Sequence, residues 1–179
     1  MWLAHALTLS RIPIAAVFWL TYGQSRALSL GLVVLAALTD AADGTVARWV
    51  KHRGGSGSTL GEWLDPAADK LFIIGVLGAI QVHDPVPWSL IALIVARELL
   101  LVPLAAIYRF VVHGRGEHAF KAGNIGKAAT IAEIFAIGAI ILHSRAVVPL
   151  AVAAAGLGIA AVVSYIWRAT HVRHEAAHA

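Results

Sequence analysis

The chain has 179 residues, 59% of them hydrophobic and 13% charged, with a mean hydropathy of +0.77. That balance excludes an ordinary water-soluble globular domain and points to a bilayer as the solvent. Cysteine is absent, so disulfides, thiolate metal sites and cysteine nucleophiles are excluded, and any metal must be held by oxygen or imidazole. The net charge of +4 arises from basic residues scattered around apolar segments. With no basic stripe, it suits anionic headgroups and phosphate-bearing substrates and not nucleic acid.

Six apolar stretches follow one another at 2–22, 27–50, 60–82, 86–110, 125–142 and 146–167, each long enough for a crossing of roughly 20 residues. They predict an all-α integral membrane protein of six transmembrane helices, forming a single domain over 1–179. In the first stretch Thr8, Ser10 and Arg11 precede a cleaner run from Ile12. Its opening turns are therefore expected along the interface as an amphipathic helical segment. It lacks a basic leader and a small-residue cleavage site, so it is read as retained. The second stretch ends on Asp40-Ala-Ala-Asp43-Gly44-Thr-Val-Ala47-Arg48, and the third begins Gly61-Glu-Trp-Leu-Asp65-Pro-Ala-Ala-Asp69-Lys70. The fourth carries Arg97-Glu98, and the fifth opens on Gly126-Lys127 and contains Glu133. Lys51, Arg53, Arg109, Arg115, Lys121, Arg168 and Arg173 gather in alternate connections and at the end of the chain, while the remaining short loops hold only Arg26 and Arg145. By the positive-inside rule both termini face the cytoplasm. His171, His174 and His178 read as a solvated tail.

On a helix Asp40 and Asp43 are at i and i+3, and Gly61, Asp65 and Asp69 at i, i+4 and i+8, so each set shares a face. A cytoplasmic loop joins the two helices and lets the faces meet. Four carboxylates together repel one another and are costly near a bilayer unless a cation compensates them. Oxygen ligands alone select a hard ion, Mg²⁺ or Mn²⁺, and four acids are enough for two metals per site. The small residues Gly44, Ala47 and Gly61 allow close approach of a backbone or a flat ligand beside the acids.

These residues resemble the signature of the CDP-alcohol phosphatidyltransferase family, D-x2-D-G-x2-A-R followed after a gap by G-x3-D-x3-D, and every named position is filled. The gap, residues 49–60, is longer than the family's usual one, with the surplus in a glycine-serine loop where insertion costs little. The resemblance implies that Asp40, Asp43 and Asp65 ligate metal. Asp69 would be general base with a share in metal binding, and Gly44, Ala47, Arg48 and Gly61 would form the surface for the CDP-lipid. It also implies a homodimer embedded among membrane lipids, with CDP-diacylglycerol as donor and the site open to the cytoplasmic side of the inner membrane.

The segments Thr8-Leu-Ser-Arg11, Asp65-Pro-Ala-Ala-Asp69-Lys70, Ala96-Arg97-Glu98 and Gly126-Lys127 are similar to those of phosphatidylglycerophosphate synthases, which implies glycerol 3-phosphate as acceptor. The asparagine usual in their N-terminal segment is His5 here. An anionic acceptor needs cations nearby, and Arg97, Arg109, Lys121 and Lys127 are the candidates. Three alternatives stay open: a cardiolipin synthase using phosphatidylglycerol as acceptor, an enzyme with an inositol-phosphate acceptor, and, in a different class, a small cation or proton transporter built on the intramembrane acids.

Overall fold

The computed structural model describes the backbone of residues 2–52, 59–111 and 123–177, and the side chains of residues 10–42, 70–104 and 123–167. Among the described residues there are seven helices and no strand: α1 (Trp2–Thr21), α2 (Arg26–His52), α3 (Thr59–His83), α4 (Trp88–Ile94), α5 (Ala96–Val111), α6 (Asn124–Ile141) and α7 (Val147–Ala177). They group into two compact units, Met1–Val86 and Pro87–Ala179.

In the first unit α1 packs against both α2 and α3. Its core combines Phe18 and Tyr22 with Val33 and Ala36 of α2 and Val76, Leu77, Ala79 and Ile80 of α3. The Tyr22 and Trp19 rings meet His83 edge-on, with centroids 5.9 and 6.5 Å away. The turn after α1 requires a left-handed residue, and Gly23 supplies it at φ +88°. The Ser25 hydroxyl accepts from the Leu28 N–H at 3.4 Å at the start of α2. α1 runs unbroken from Trp2, so the expected interfacial opening and the apolar run form one helix.

In the second unit α7 packs against α6, α5 and α4. The buried positions of α6 and α7 are rich in alanine: Ala129, Ala136 and Ala139 on one, Ala151, Ala154, Ala155 and Ala161 on the other. Small side chains bring helix backbones close, which supplies cohesion where hydrophobic expulsion from water does not operate. Backbone comes close at Gly158, where an added Cβ would lie 2.9 Å from Arg97 Cβ and 3.3 Å from its backbone nitrogen. The fourth apolar stretch, expected as one helix, is divided into α4 and α5 at Val95 (φ −94°, ψ 15°). The Val95 N–H still donates to Ile91 O, and the Val95 carbonyl accepts from the Leu99 N–H, both at 3.0 Å, so the interruption is local.

By length and apolarity Asn124–Ile141 and Val147–Trp167 suffice to cross a membrane, and Ser10–Thr21 and Lys70–His83 form shorter apolar helices. Large apolar side chains point outward throughout: Leu20, Ile74 and Trp88 are 76, 66 and 70% exposed. Outward-facing apolar surface on this scale calls for an apolar surrounding.

Two glycines two residues apart on α7 separate packing from propensity. A Cβ at Gly156 meets nothing within 4 Å, so Gly156→Ala is expected to leave stability unchanged or raise it by up to about 1 kcal/mol. Gly158→Ala forces Arg97 away and should cost about 1–3 kcal/mol. Thermal unfolding of the two variants in detergent checks this, and equal midpoints would contradict the close approach.

Candidate active site

The acid-bearing sequence falls on helices as its periodicity predicts. Asp40, Asp43, Gly44, Ala47 and Arg48 lie within α2, and Gly61, Asp65 and Asp69 within α3. Both helices pack on α1, which therefore brackets the two halves of the motif. Of these side chains Asp40 is described; those of Asp43, Gly44, Ala47, Arg48, Gly61, Asp65 and Asp69 lie outside the described residues.

Asp40 is engaged by a residue that sequence reasoning did not assign to the site. The Arg11 guanidinium, on α1 and only 3% exposed, donates from Nη2 to Asp40 Oδ1 at 2.8 Å, while the Asp40 side chain is 51% exposed. A buried guanidinium keeps its charge and has to be paired. Here it takes one oxygen of a carboxylate whose side chain otherwise faces outward, which fits a ligand that still offers Oδ2 to a divalent ion. The available signal was Arg11 itself, a charge inside an apolar stretch. Its partner is 29 residues away and cannot be read from local spacing.

Among the described residues no three acidic or histidine side chains cluster; one of the four motif acids is in that set. The hard-oxygen character of the donor set, with Asp40 half exposed, is compatible with Mg²⁺ or Mn²⁺.

The cations expected at the acceptor are placed unequally. Lys127 is exposed in the first turn of α6. Lys121 and the Arg109 side chain lie outside the described residues. Arg97, at the start of α5, is partly buried and densely engaged. Its Nε donates to Glu98 Oε1 at 2.7 Å, and its Nη1 donates to Gly126 O at 2.9 Å and to Thr130 Oγ1 at 2.6 Å. Its Nη2 also pairs with Glu98 Oε1 and lies 3.8 Å from Glu133 Oε2. Gly126, Thr130 and Glu133 share one face of α6 at i, i+4 and i+7, so the guanidinium clamps the first two turns of that helix to α5. The Arg97-Glu98 pair is legible in the sequence, while Thr130 and Glu133 as its partners are not.

The family model for CDP-alcohol phosphatidyltransferase matches residues 1–167. A protein of Mycobacterium tuberculosis named "Probable phosphatidylglycerophosphate synthase" is 33% identical over 182 aligned positions, covering 93% of this chain and 81% of the relative. The human "Cardiolipin synthase (CMP-forming)" is 33% identical over 108 residues, covering 59% of this chain and 35% of the relative. The "CDP-diacylglycerol--glycerol-3-phosphate 3-phosphatidyltransferase" of Bacillus subtilis is 34% identical over 113 residues, covering 63% of this chain and 54% of the relative. The chain thus spans about a third of the human protein and about half of the Bacillus protein. With the signature filled at every position and the match running through nearly its whole length, the chain belongs to the CDP-alcohol phosphatidyltransferase family.

Proposed function

We propose that this protein transfers a phosphatidyl group from CDP-diacylglycerol to glycerol 3-phosphate and releases CMP, as a step of phospholipid synthesis. The observation that carries the reading is the complete acid signature on α2 and α3, two helices packed on one α1 that also supplies Arg11 to Asp40.

In this reading Asp40, Asp43, Asp65 and Asp69 hold Mg²⁺ or Mn²⁺, two ions per site. Bound there, such ions would neutralise pyrophosphate charge as it shifts onto the departing CMP. Gly44, Ala47 and Gly61 leave room for the nucleotide beside the acids, and Arg48 offers a charge-assisted donor to phosphate. Asp69 accepts the proton of the acceptor hydroxyl. That oxygen forms a bond to the phosphorus carrying diacylglycerol, the bond from that phosphorus to the CMP oxygen breaks, and the proton later leaves Asp69 for solvent. Arg11 positions Asp40 by occupying Oδ1. Arg97, Arg109, Lys121 and Lys127 are assigned to the acceptor's phosphate.

The outward apolar side chains and the apolar helices support a multi-pass membrane protein. We read six spans with both termini and the site at the cytoplasmic side, on the distribution of Lys51, Arg53, Arg109, Arg115, Lys121, Arg168 and Arg173. A homodimer is part of the same reading. A second acceptor, phosphatidylglycerol, is favoured by one observation: Arg97 already faces two carboxylates, Glu98 and Glu133, which weakens its pull on a small dianion. Transport of a cation is separated from both by CMP release.

Purified protein given CDP-diacylglycerol and Mg²⁺ or Mn²⁺ should release CMP only with an acceptor, lose activity to a chelator and regain it on metal addition. Running glycerol 3-phosphate, phosphatidylglycerol and inositol phosphate side by side identifies the acceptor. Asp69→Asn should lower turnover by about 10²–10⁴-fold with folding retained; CMP release at the wild-type rate would remove Asp69 from the role of base. Arg11→Met is expected to lower turnover at least about tenfold and Arg11→Lys to restore part of it, because a single charged donor can still reach Oδ1. Full activity in Arg11→Met would show that Asp40 needs no fixing.

A further inference from the structure

The four motif acids are divided between two helices, and α1 is the element both helices share. Among the described residues α1 packs extensively on α2 and on α3, which share little packing with one another. The alignment of Asp40 with the acids of α3 is therefore set through α1. On the α2 side the tie is the ion pair of Arg11 with Asp40 at 2.8 Å. On the α3 side it is a close approach of helices. A Cβ added at Gly75 would stand 3.3 Å from Ala15 Cβ, and one at Gly78 would stand 2.9 Å from Cζ3 of the Trp19 ring. Tyr22, just past the end of α1, meets His83, the last residue of α3, with ring centroids 5.9 Å apart. These contacts ascend together on both helices, so α1 and α3 run parallel. The pairs Ala15 with Gly75 and Tyr22 with His83 are offset by 60 and 61 residues. One turn back along α1, the same offset sets Arg11 level with Leu71, two residues, or about 3 Å of helix rise, beyond Asp69. The register that Gly75 permits thus brings the anchor of Asp40 and the backbone of Asp69 to nearly the same height. Ala15 Cβ is fixed to its own backbone, so bulk at Gly75 is relieved only by moving one helix against the other. The Trp19 ring, 40% exposed, can swing aside.

We propose that Gly75 and Ala15 are positioning residues for the metal site: their contact fixes the register of α3 on α1, and so the height of Asp65 and Asp69 relative to Asp40. This role rests on the reading of the four aspartates as ligands of Mg²⁺ or Mn²⁺. Packed helices transmit strain because they compress little. A displacement imposed at Gly75 therefore reaches Asp69, less than two turns away on the same helix. Ligand sets hold a metal well only within about 0.5 Å of their working geometry, so two halves displaced against each other bind it more weakly. Neither Gly75 nor Ala15 belongs to the acid signature, and neither is polar. Their effect on metal can come only through position.

The test titrates Mn²⁺ into the metal-stripped full chain in detergent and reads the free ion by electron paramagnetic resonance, without turnover, beside a thermal unfolding curve of each variant. Gly75→Ala should raise the half-saturating Mn²⁺ concentration about threefold and Gly75→Val about tenfold. The double variant Ala15→Gly/Gly75→Ala moves the methyl group to the other helix and should return the value to within about twofold of wild type. Gly31→Ala, on α2 where an added Cβ meets nothing within 4 Å, should leave it unchanged. A contact that matters to packing alone would lower the unfolding midpoints of the Gly75 variants with Mn²⁺ binding unchanged, and that result overturns the proposal. So does a double variant that regains stability but not Mn²⁺ binding. If neither Gly75 variant accumulates, Ala15→Ser, a smaller intrusion on the same contact from α1, decides by the same titration: unchanged half-saturation refutes the positioning role. A wild-type chain that binds no Mn²⁺ contradicts the reading of the aspartates as metal ligands, which is a different failure from any variant result.

Discussion

A charged group inside a bundle of apolar helices has to find its counter-charge within the protein, and the polar architecture of this chain follows from how that is done. Arg11 is almost wholly buried yet pairs with a carboxylate that is half exposed. The pair therefore does not neutralise two buried charges. It ties a buried cation to an acid that stays accessible. Desolvation makes the intact pair of modest net worth, but loss of the carboxylate takes a counter-charge from a buried cation and is destabilising. The position of Asp40 is thus linked to the packing of α1 on α2, by way of a helix that contributes no acid of its own.

Arg97 obeys the same constraint by other means. Its partners come from its own neighbour, Glu98, and from one face of α6, while its backbone lies against Gly158 of α7. That approach depends on small residues. The alanine-rich faces of α6 and α7 bring backbones near enough for a side chain at the start of α5 to reach the carbonyl of Gly126. Large apolar side chains face the other way, outward, where lipid replaces water. Packing by small residues and pairing of charge are in this unit one arrangement.

What the sequence revealed and what it concealed divide along physical lines. Helix type and approximate extent were legible because runs of apolar residues long enough to span a bilayer leave few alternatives, and the acid motif fell inside helices because its spacing is helical. The interruption at Val95 was not legible: the segment has no glycine or proline at that point, so the cause is tertiary and leaves no local mark. The partners of Arg11 and Arg97 were hidden for a similar reason. Asp40 is 29 residues from Arg11, and Gly126 and Thr130 are 29 and 33 residues from Arg97. Such pairs depend on the register between helices, which periodicity along one helix does not fix. The Arg97-Glu98 pair could be read only because its members are adjacent.

Choice of acceptor has to be encoded outside the shared motif. The chain is 33% identical both to a mycobacterial protein named for phosphatidylglycerophosphate synthesis and to a human one named for cardiolipin synthesis, so overall identity does not rank the two reactions. The signature cannot rank them either, since it is the motif of the family as a whole. The difference between the two reactions is therefore left to residues outside the signature, which local spacing along one helix does not single out.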